Sequence, residues 1–349
     1  MLQQKIFRQA VLVSPVRMIY EALMSQHCYA SIDLGGTNIK GILGREDGQV
    51  LARRSIPTLA EQGPDAVLGR IAELVDSLAE EAGERPQALG MGCPGLVDVQ
   101  QGISRFFPNL PTQWRDVAIA EHLAPGLGCP VYILNDVRMA TLGEQRFGHG
   151  QDVDSFVFFA LGTGIGGGIV IDKKLRLGPL AAAGEIGHLT MVPDGHLCGC
   201  GNRGCLETIA SGSAIAAEGV RLIKCGHAPR LFEIIEGDTT RISAQTMTEA
   251  ALAGDPHVQA SLMRVGRFLG IAVANMVLTL HPELVVFGGG VAGMGELLTD
   301  RVKDVLEERV NIFPVSNIAI KTSKLGHEAG AMGGIALAME GRRLVGAEV

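Results

Sequence analysis

From Tyr29 onward, short apolar runs alternate with glycine-rich breaks. YASIDLGGTNIKGILG reads as a strand, a glycine turn and a second strand. GREDGQ then makes another turn, and VLARRSIP a third strand. Between Ala66 and Ala82 the period changes: Val67, Ile71, Leu74, Val75 and Leu78 recur at helical spacing, with charges between them. QALGMGCPG is a strand running into a turn, PVYILND another strand, and VRMATLGEQRFG the helix after it. From Phe156 the opening pattern returns in FVFFALGTGIGGGIVIDKKLRLG: strand, glycine turn, strand, turn, strand. Setting Gly35 over Gly162 brings Gly41 over Gly168 with no gap, which predicts two related halves, each headed by a glycine hairpin. Residues 284–287 read as a buried strand. Gly288, Gly289 and Gly290 then open a stretch that turns helical in GELLTDRVKDVLEERV. HEAGAMGGIALAME is a small-residue helix suited to close packing.

Composition narrows the class. With 349 residues, 47% of them hydrophobic and 19% charged, the chain can form two ordinary domains with a large core. A formal charge of −7 gives no attraction to a nucleic-acid backbone. No unbroken apolar run reaches the roughly 18 residues that span a bilayer, so no membrane partner is expected. The first 27 residues carry Lys5, Arg8 and Arg17 around a short apolar patch. Pro15 and Arg17 interrupt that patch and no clean cleavage site follows, which argues against a secretory signal. The segment reads as an appendage, or as an upstream start read in place of Met18 or Met24. The expected compartment is the reducing cytoplasm, where seven cysteines are not a disulfide set.

Three of those cysteines fall in GEIGHLTMVPDGHLCGCGNRGCLE. Cys198, Cys200 and Cys205 with His188 offer a Cys3His set of the kind that closes a structural zinc site. Reduced cysteines that simply pack, or a redox pair, are the plainer alternatives. His196 competes with His188 as fourth ligand, but two residues before Cys198 its bite would be strained. Cys28, Cys93, Cys129 and Cys225 read as small hydrophobes. Glu185 and Glu207 flank the loop; either alone would be a solvated charge, whereas together they suit the hydroxyls of a polyol. Asn135 and Asp136 sit where a strand gives way to a helix, the end at which open α/β sheets place their sites. Asp136 is either the helix N-cap or a general base. Asp33 precedes the first glycine turn and suits Mg²⁺, usually through water. Asn109 in FFPNLPTQW is a sugar-bonding group or a turn residue after Pro108. The glycine turns match neither a Walker loop nor a dinucleotide fingerprint, since each leads into a strand. Their bare backbones can still aim N–H groups at phosphate oxygens. Gly288, Gly289 and Gly290 can floor a flat ring or make a tight strand-to-helix turn.

In this order, DLGGTN, LGTGIGGG, PNLP, ND and GEIGH…CGCG..GCLE resemble the ROK sugar kinases (repressor, open reading frame, kinase) from about Ser31 to Ala338. The run into TIASG is most similar to bacterial ROK glucokinases. The resemblance implies an actin-like ATPase fold of the ribonuclease H-like class, with two α/β domains flanking a cleft. Residues 28–146 together with a C-terminal helix at about 330–349 would form one domain, and residues 147–329 the other, carrying the zinc loop. It implies that Asp33, Gly35, Gly36 and Thr37 form the first phosphate motif and Gly162, Thr163, Gly164 and Gly166 the second. Gly288, Gly289 and Gly290 would line the adenosine pocket. Asn109, Asn135, Asp136, Glu185, His188 and Glu207 would hold the sugar, with Asp136 as the base. His188 would bind zinc with one nitrogen and face the sugar with the other. The implied activity is phosphorylation of the 6-hydroxyl of glucose from ATP with Mg²⁺, in a homo-oligomer, a dimer or tetramer. N-acetylmannosamine, N-acetylglucosamine, allose and mannose are alternative acceptors, and polyphosphate an alternative donor. A sugar-responsive repressor of this family would carry a helix-turn-helix before the first phosphate motif, and the residues before Asp33 lack that pattern. A catalytically silent sugar binder is disfavoured by the intact Asp33, Asp136 and both turns. The chain departs from the family pattern in two places. Leu134 stands where Glu is common before the Asn–Asp pair, and Val137, Arg138 and Met139 stand where small residues usually follow it.

Overall fold

The computed structural model describes residues 27–108, 110–111 and 114–344. Cys28–Leu34 (β1) pairs antiparallel with Asn38–Arg45 (β2), and β2 with Val50–Pro57 (β3). Pro64–Ala82 (α1) follows, with Pro64 in its first turn and Gly83 closing it at φ 71°. Its apolar face (Val67, Leu68, Ile71, Leu74, Val75 and Leu78) is buried on that sheet. The chain then returns through Leu89–Cys93 (β4), parallel to β1. A small hairpin of Leu96–Asp98 (β5) and Ile103–Phe106 (β6) is followed by Ile119–Leu127 (α2). Val131–Asn135 (β7) lies parallel to β4, and Asp136–Phe147 (α3) leaves its carboxyl end. The strand order is β3-β2-β1-β4-β7.

The second half repeats the plan. Phe156–Leu161 (β8), Ile165–Ile171 (β9) and Lys174–Leu175 (β10) form the antiparallel edge. Five helices follow: Glu207–Ala210 (α4), Gly212–Lys224 (α5), Pro229–Ile234 (α6), Ala244–Leu252 (α7) and Pro256–Leu280 (α8). Leu284–Gly288 (β11) then pairs parallel with β8, and after Glu296–Arg309 (α9), Ala319–Thr322 (β12) pairs parallel with β11. The order β10-β9-β8-β11-β12 reproduces that of the first sheet, so the duplication expected from the two glycine hairpins is borne out.

Strand alternation splits the second sheet between two cores. Phe156, Phe158, Val170 and Val286 join the apolar cluster of the first half. Val157, Phe159, Val285 and Phe287 face the helices of the second. α8 is long and apolar enough, by length and composition, to cross a membrane, but half of its apolar window is buried inside the fold, against α9, α7 and α5.

The last helix, Ala329–Leu344 (α10), returns to the first sheet. Its small residues are required by contact. A Cβ on Gly334 would lie 1.9 Å from the Ser31 hydroxyl of β1, and one on Gly90 of β4 would lie 2.0 Å from the Gly334 carbonyl. α10 also packs along α3, whose opposite side meets β9 where Thr141 stands over Gly168. α3 is therefore held between both halves, and its first turn carries Asp136.

Candidate active site

Asn135 ends β7 and caps α3. Its Oδ1 accepts from the N–H groups of Val137 (3.1 Å) and Arg138 (3.3 Å), and its Nδ2 donates to the Gly95 carbonyl (3.2 Å). Asp136 is thus the first residue of the helix and is relieved of the N-cap role. Its carboxylate accepts from the Val137 N–H, at 2.8 Å. Burial pushes Asp136 up to about 6, against the Val137 hydrogen bond, and the negative charge of Asp33 adds to the rise. Asp33, near the end of β1, is raised as well, again by burial, with Lys40 pulling it back. Cys93, at the end of the intervening β4, is pushed well above its ordinary value by burial and by both carboxylates.

The two glycine turns are built alike. Gly35 donates to the Asn38 carbonyl at 3.0 Å, and Thr58 ties the turn by donating from its hydroxyl to the Gly35 carbonyl and from its N–H to that of Thr37. Gly162 donates to the Gly164 carbonyl at 3.0 Å, and the Gly212 N–H at the start of α5 donates to the Gly162 carbonyl. Gly36, Thr37 and Thr163 stand exposed at the tips. Glu207 lies beneath the second turn: its Oε2 accepts from the Ile165 N–H at 2.9 Å, and a Cβ on Gly164 would come within 2.4 Å of it. Gly166 makes room for Val137, whose Cγ2 would be 2.7 Å from an added Cβ. Gly288 is buried under the Phe158 ring, so its bare backbone serves packing. Gly289 sits at φ +84° against the Leu161 carbonyl, and Gly290 faces open space.

In the cysteine loop, donor atoms of His188, Cys198, Cys200 and Cys205 all lie within 4.8 Å of one another. Cys198 Sγ is 3.6 Å from His188 Nδ1, and Cys200 Sγ 3.7 Å from Cys205 Sγ. With metal–sulfur bonds of about 2.3 Å and metal–nitrogen bonds of about 2.0 Å, a tetrahedron has edges of about 3.5–3.8 Å, so the donor set fits a small four-coordinate ion. His196 is not in this group; its carbonyl accepts from the Gly204 N–H and shapes the loop. With Nδ1 turned to the thiols, His188 presents Nε2 on the other side, 4.0 Å from Glu185 Oε2.

These parts meet in one cavity of about 620 Å³. Asn135, Asp136, Glu185, His188 and Glu207 form one part of its wall, and Gly162, Thr163, Gly164, Gly166 and Gly289 another. Pro94, Leu96 and Phe106 close the first half's side. A second cavity of about 780 Å³ shares Thr163, Gly164 and Glu207 with it and runs along α5. Asp33, Gly35, Gly36 and Thr37 are not in either wall; their link to the site is the electrostatic one between Asp33 and Asp136. Asn109 lies outside the described residues; Pro108, which precedes it in the sequence, is on the cavity wall.

Two charged residues of α3 are buried in a way the sequence does not show, although Arg138 already stands out as a departure from the family pattern. Glu144 is wholly buried and accepts from the N–H groups of His149 (3.1 Å) and Leu325 (3.2 Å) and from the Ser323 hydroxyl. Arg138 is also buried; it donates to Glu185 and Asn135 on the cavity wall and to the nearby Ala183 carbonyl. No periodic signal distinguishes either, because a charge on an amphipathic helix ordinarily faces solvent.

A family model described as the ROK family matches residues 29–341. The chain belongs to the ROK family. Its actin-like two-sheet fold is that of solved ROK structures. A ROK glucokinase from Streptomyces griseus, crystallised with glucose and AMPPNP, is 32% identical with a TM-score of 0.77, covering 90% of this chain and 99% of that one. The glucokinase of Thermotoga maritima is 35% identical over 309 residues, 88% of this chain and 96% of its own length. An Escherichia coli N-acetylmannosamine kinase is 31% identical over 90% of this chain and 99% of its own.

Proposed function

We propose that this ROK protein transfers the γ-phosphoryl group of ATP to the 6-hydroxyl of a hexose, with glucose the preferred acceptor. The observation that carries the reading is the Asp136 carboxylate. It is half-buried at a strand's carboxyl end, raised to about 6, and set in one cavity with the glycine turn 162–166 and the sugar-bonding set Glu185, His188 and Glu207. At neutral pH such a group is mostly ionised yet far more basic than an ordinary aspartate, the state a general base needs. Asp136 accepts the 6-hydroxyl proton as that oxygen approaches the γ-phosphorus. The backbone N–H groups of the glycine turns hold the phosphoryl oxygens. Glu185 and His188 Nε2 orient the ring by its hydroxyls, while Glu207 braces the turn it underlies. Gly289 and Gly290, with the second cavity beyond Thr163, accommodate the adenosine. Movement of the first hairpin toward this wall would bring Gly36 and Thr37 onto the phosphates and shut out water.

Asp33 beside Asp136 gives a doubly acidic pole suited to Mg²⁺, which would neutralise charge on the phosphates. His188, Cys198, Cys200 and Cys205 suit structural Zn²⁺, which would fix the ring of His188 from behind. Thiolate ligands and an ATP donor both favour a cytoplasmic protein acting on small molecules. Glucose is favoured by the glucokinases among its relatives; N-acetylmannosamine is the second choice, on the likeness to a kinase of that sugar.

Coupled measurement of ADP release with glucose, mannose, allose, N-acetylglucosamine and N-acetylmannosamine tests this. We expect kcat/KM for glucose to lead the panel and to require ATP. No hexose-dependent ADP release would end the kinase reading, and a lead of tenfold or more for another hexose would end the glucose assignment.

A further inference from the structure

We infer that Arg138 is a positioning residue that clamps Glu185 to the strand end carrying Asp136, and so sets the affinity and selectivity for the hexose. The inference rests on the hexose-kinase reading above. Arg138 sits in the first turn of α3, and its side chain is 2% exposed. Its Nη2 donates to Glu185 Oε1 at 2.6 Å and to the Ala183 carbonyl at 3.0 Å. Its Nε reaches the same carbonyl at 3.1 Å, and its Nη1 donates to Asn135 Oδ1 at 2.9 Å. The guanidinium is therefore almost wholly consumed by protein partners, and although Arg138 borders the cavity its side chain is only 2% exposed. It acts through the residues that it holds.

Those residues are the sugar end of the site. Glu185 is 49% exposed and lines the cavity. With Oε1 held by the fork, Oε2 is the atom left beside His188 Nε2, at 4.0 Å, to meet a hydroxyl. A carboxylate on a loop would otherwise sample several rotamers. Nη2 of a guanidinium whose plane is already set by Ala183 and Asn135 fixes it in a direction that a freely rotating ammonium would not. The same guanidinium steadies Asn135, whose Oδ1 also caps the helix bearing Asp136. The clamp thus joins the end of β7 to segment 183–188 of the second half, and fixes where Glu185 stands relative to Asp136. Position 138 is also one of the places where this chain departs from the small residues expected after Asn–Asp.

The test compares the parent with Arg138→Met, Arg138→Lys, Glu185→Gln and the double variant Arg138→Met/Glu185→Gln. Glucose Kd by calorimetry, steady-state KM and kcat, and the melting temperature are read for each. Removing the fork should raise glucose Kd and KM at least about tenfold, with kcat changed less than about fivefold. Arg138→Lys should fall within about threefold of Arg138→Met, because one ammonium cannot reach Ala183, Glu185 and Asn135 together. The preference among hexoses should flatten. In the Glu185→Gln background the Arg138→Met change should cost less than about threefold, since the partner it serves has already lost its charge. Glucose Kd and KM in Arg138→Met within about threefold of the parent, whatever its melting temperature, would overturn the clamp. So would a full effect of about tenfold for Arg138→Met persisting in the Glu185→Gln background. A parent that neither binds nor phosphorylates a hexose would overturn the functional reading and the clamp with it. A parent that does both, matched by Arg138→Met, would overturn the clamp alone.

Discussion

Asp136 is half-buried and its carboxyl is raised by desolvation, and this has two consequences of opposite sign. As the proposed base, Asp136 must be ionised, so kcat/KM for the sugar should fall about tenfold per pH unit below about 6 and level off above it. Folding is hindered by that same form, because the folded pKa lies above the unfolded value of 3.8. The folded state therefore binds the extra proton between about pH 4 and 6, and stability declines as pH rises through that window. Asp136→Asn removes the buried charge and should stabilise the fold at pH 7 by about 2–3 kcal/mol, a gain fading toward zero near pH 4. Denaturant midpoints at the two pH values check this; an equal change at both would detach the effect from titration. Cys200 is an exposed thiol whose value to the fold lies in the donor set it completes. If the donor set holds zinc as proposed, Cys200→Ser should lose it and raise glucose KM together, as read by metal analysis and kinetics on one preparation. A zinc-free protein with an unchanged KM would separate the loop from the sugar site. The four donors can be read from the sequence because ligand type and spacing are chemical signals. Arg138 and Glu144 cannot, because what turns each inward is a partner far along the chain, Glu185 and Leu325 respectively.

At the scale of elements, α3 depends on what flanks it. α10 lies along one side, β9 along the other, and α10 reaches β1 and β4 through glycines. Gly90→Ala would place a methyl group 2.0 Å from the Gly334 carbonyl, with backbone on both sides unable to yield. We expect a loss of about 2–4 kcal/mol in unfolding free energy, measured by denaturant, and lower activity through displaced α3. A variant as stable as the parent would mean that α10 docks more loosely than these contacts require. The glycine hairpins, α1, β4, β7, α3, β11, α9 and α10 are legible because each keeps one apolar period between clear breaks. VLARRSIP matches β3 residue for residue, and the helix expected from Ala66 begins at Pro64. The β5–β6 hairpin and α2 leave no comparable trace. Their burial comes from one another and from neighbours rather than from a period long enough to register, as with Ser104 accepting from the Val117 N–H. The helices α4 to α8 are equally silent. α8 is apolar on several sides because α5, α7 and α9 all contact it, which blurs the amphipathic stripe.

The whole molecule is one plan used twice and then made unequal. Both sheets carry an antiparallel glycine hairpin beside parallel strands, yet Asp33 in the first half is matched by Ala160 in the second when Gly35 is set over Gly162. The acidic pole belongs to the first half, and the cysteine loop and the proposed adenosine side to the second. A site assembled from both halves makes the reaction depend on how they meet, which only the fold reveals. The cavity wall contains the second hairpin but not the tip of the first, a relation no motif encodes. The most direct test of the account is turnover of glucose by Asp136→Asn with ATP, alongside glucose binding by calorimetry on the same protein. The account predicts a fall in kcat of at least about a thousandfold with glucose Kd within about threefold of the parent. Turnover within about tenfold of the parent would contradict it.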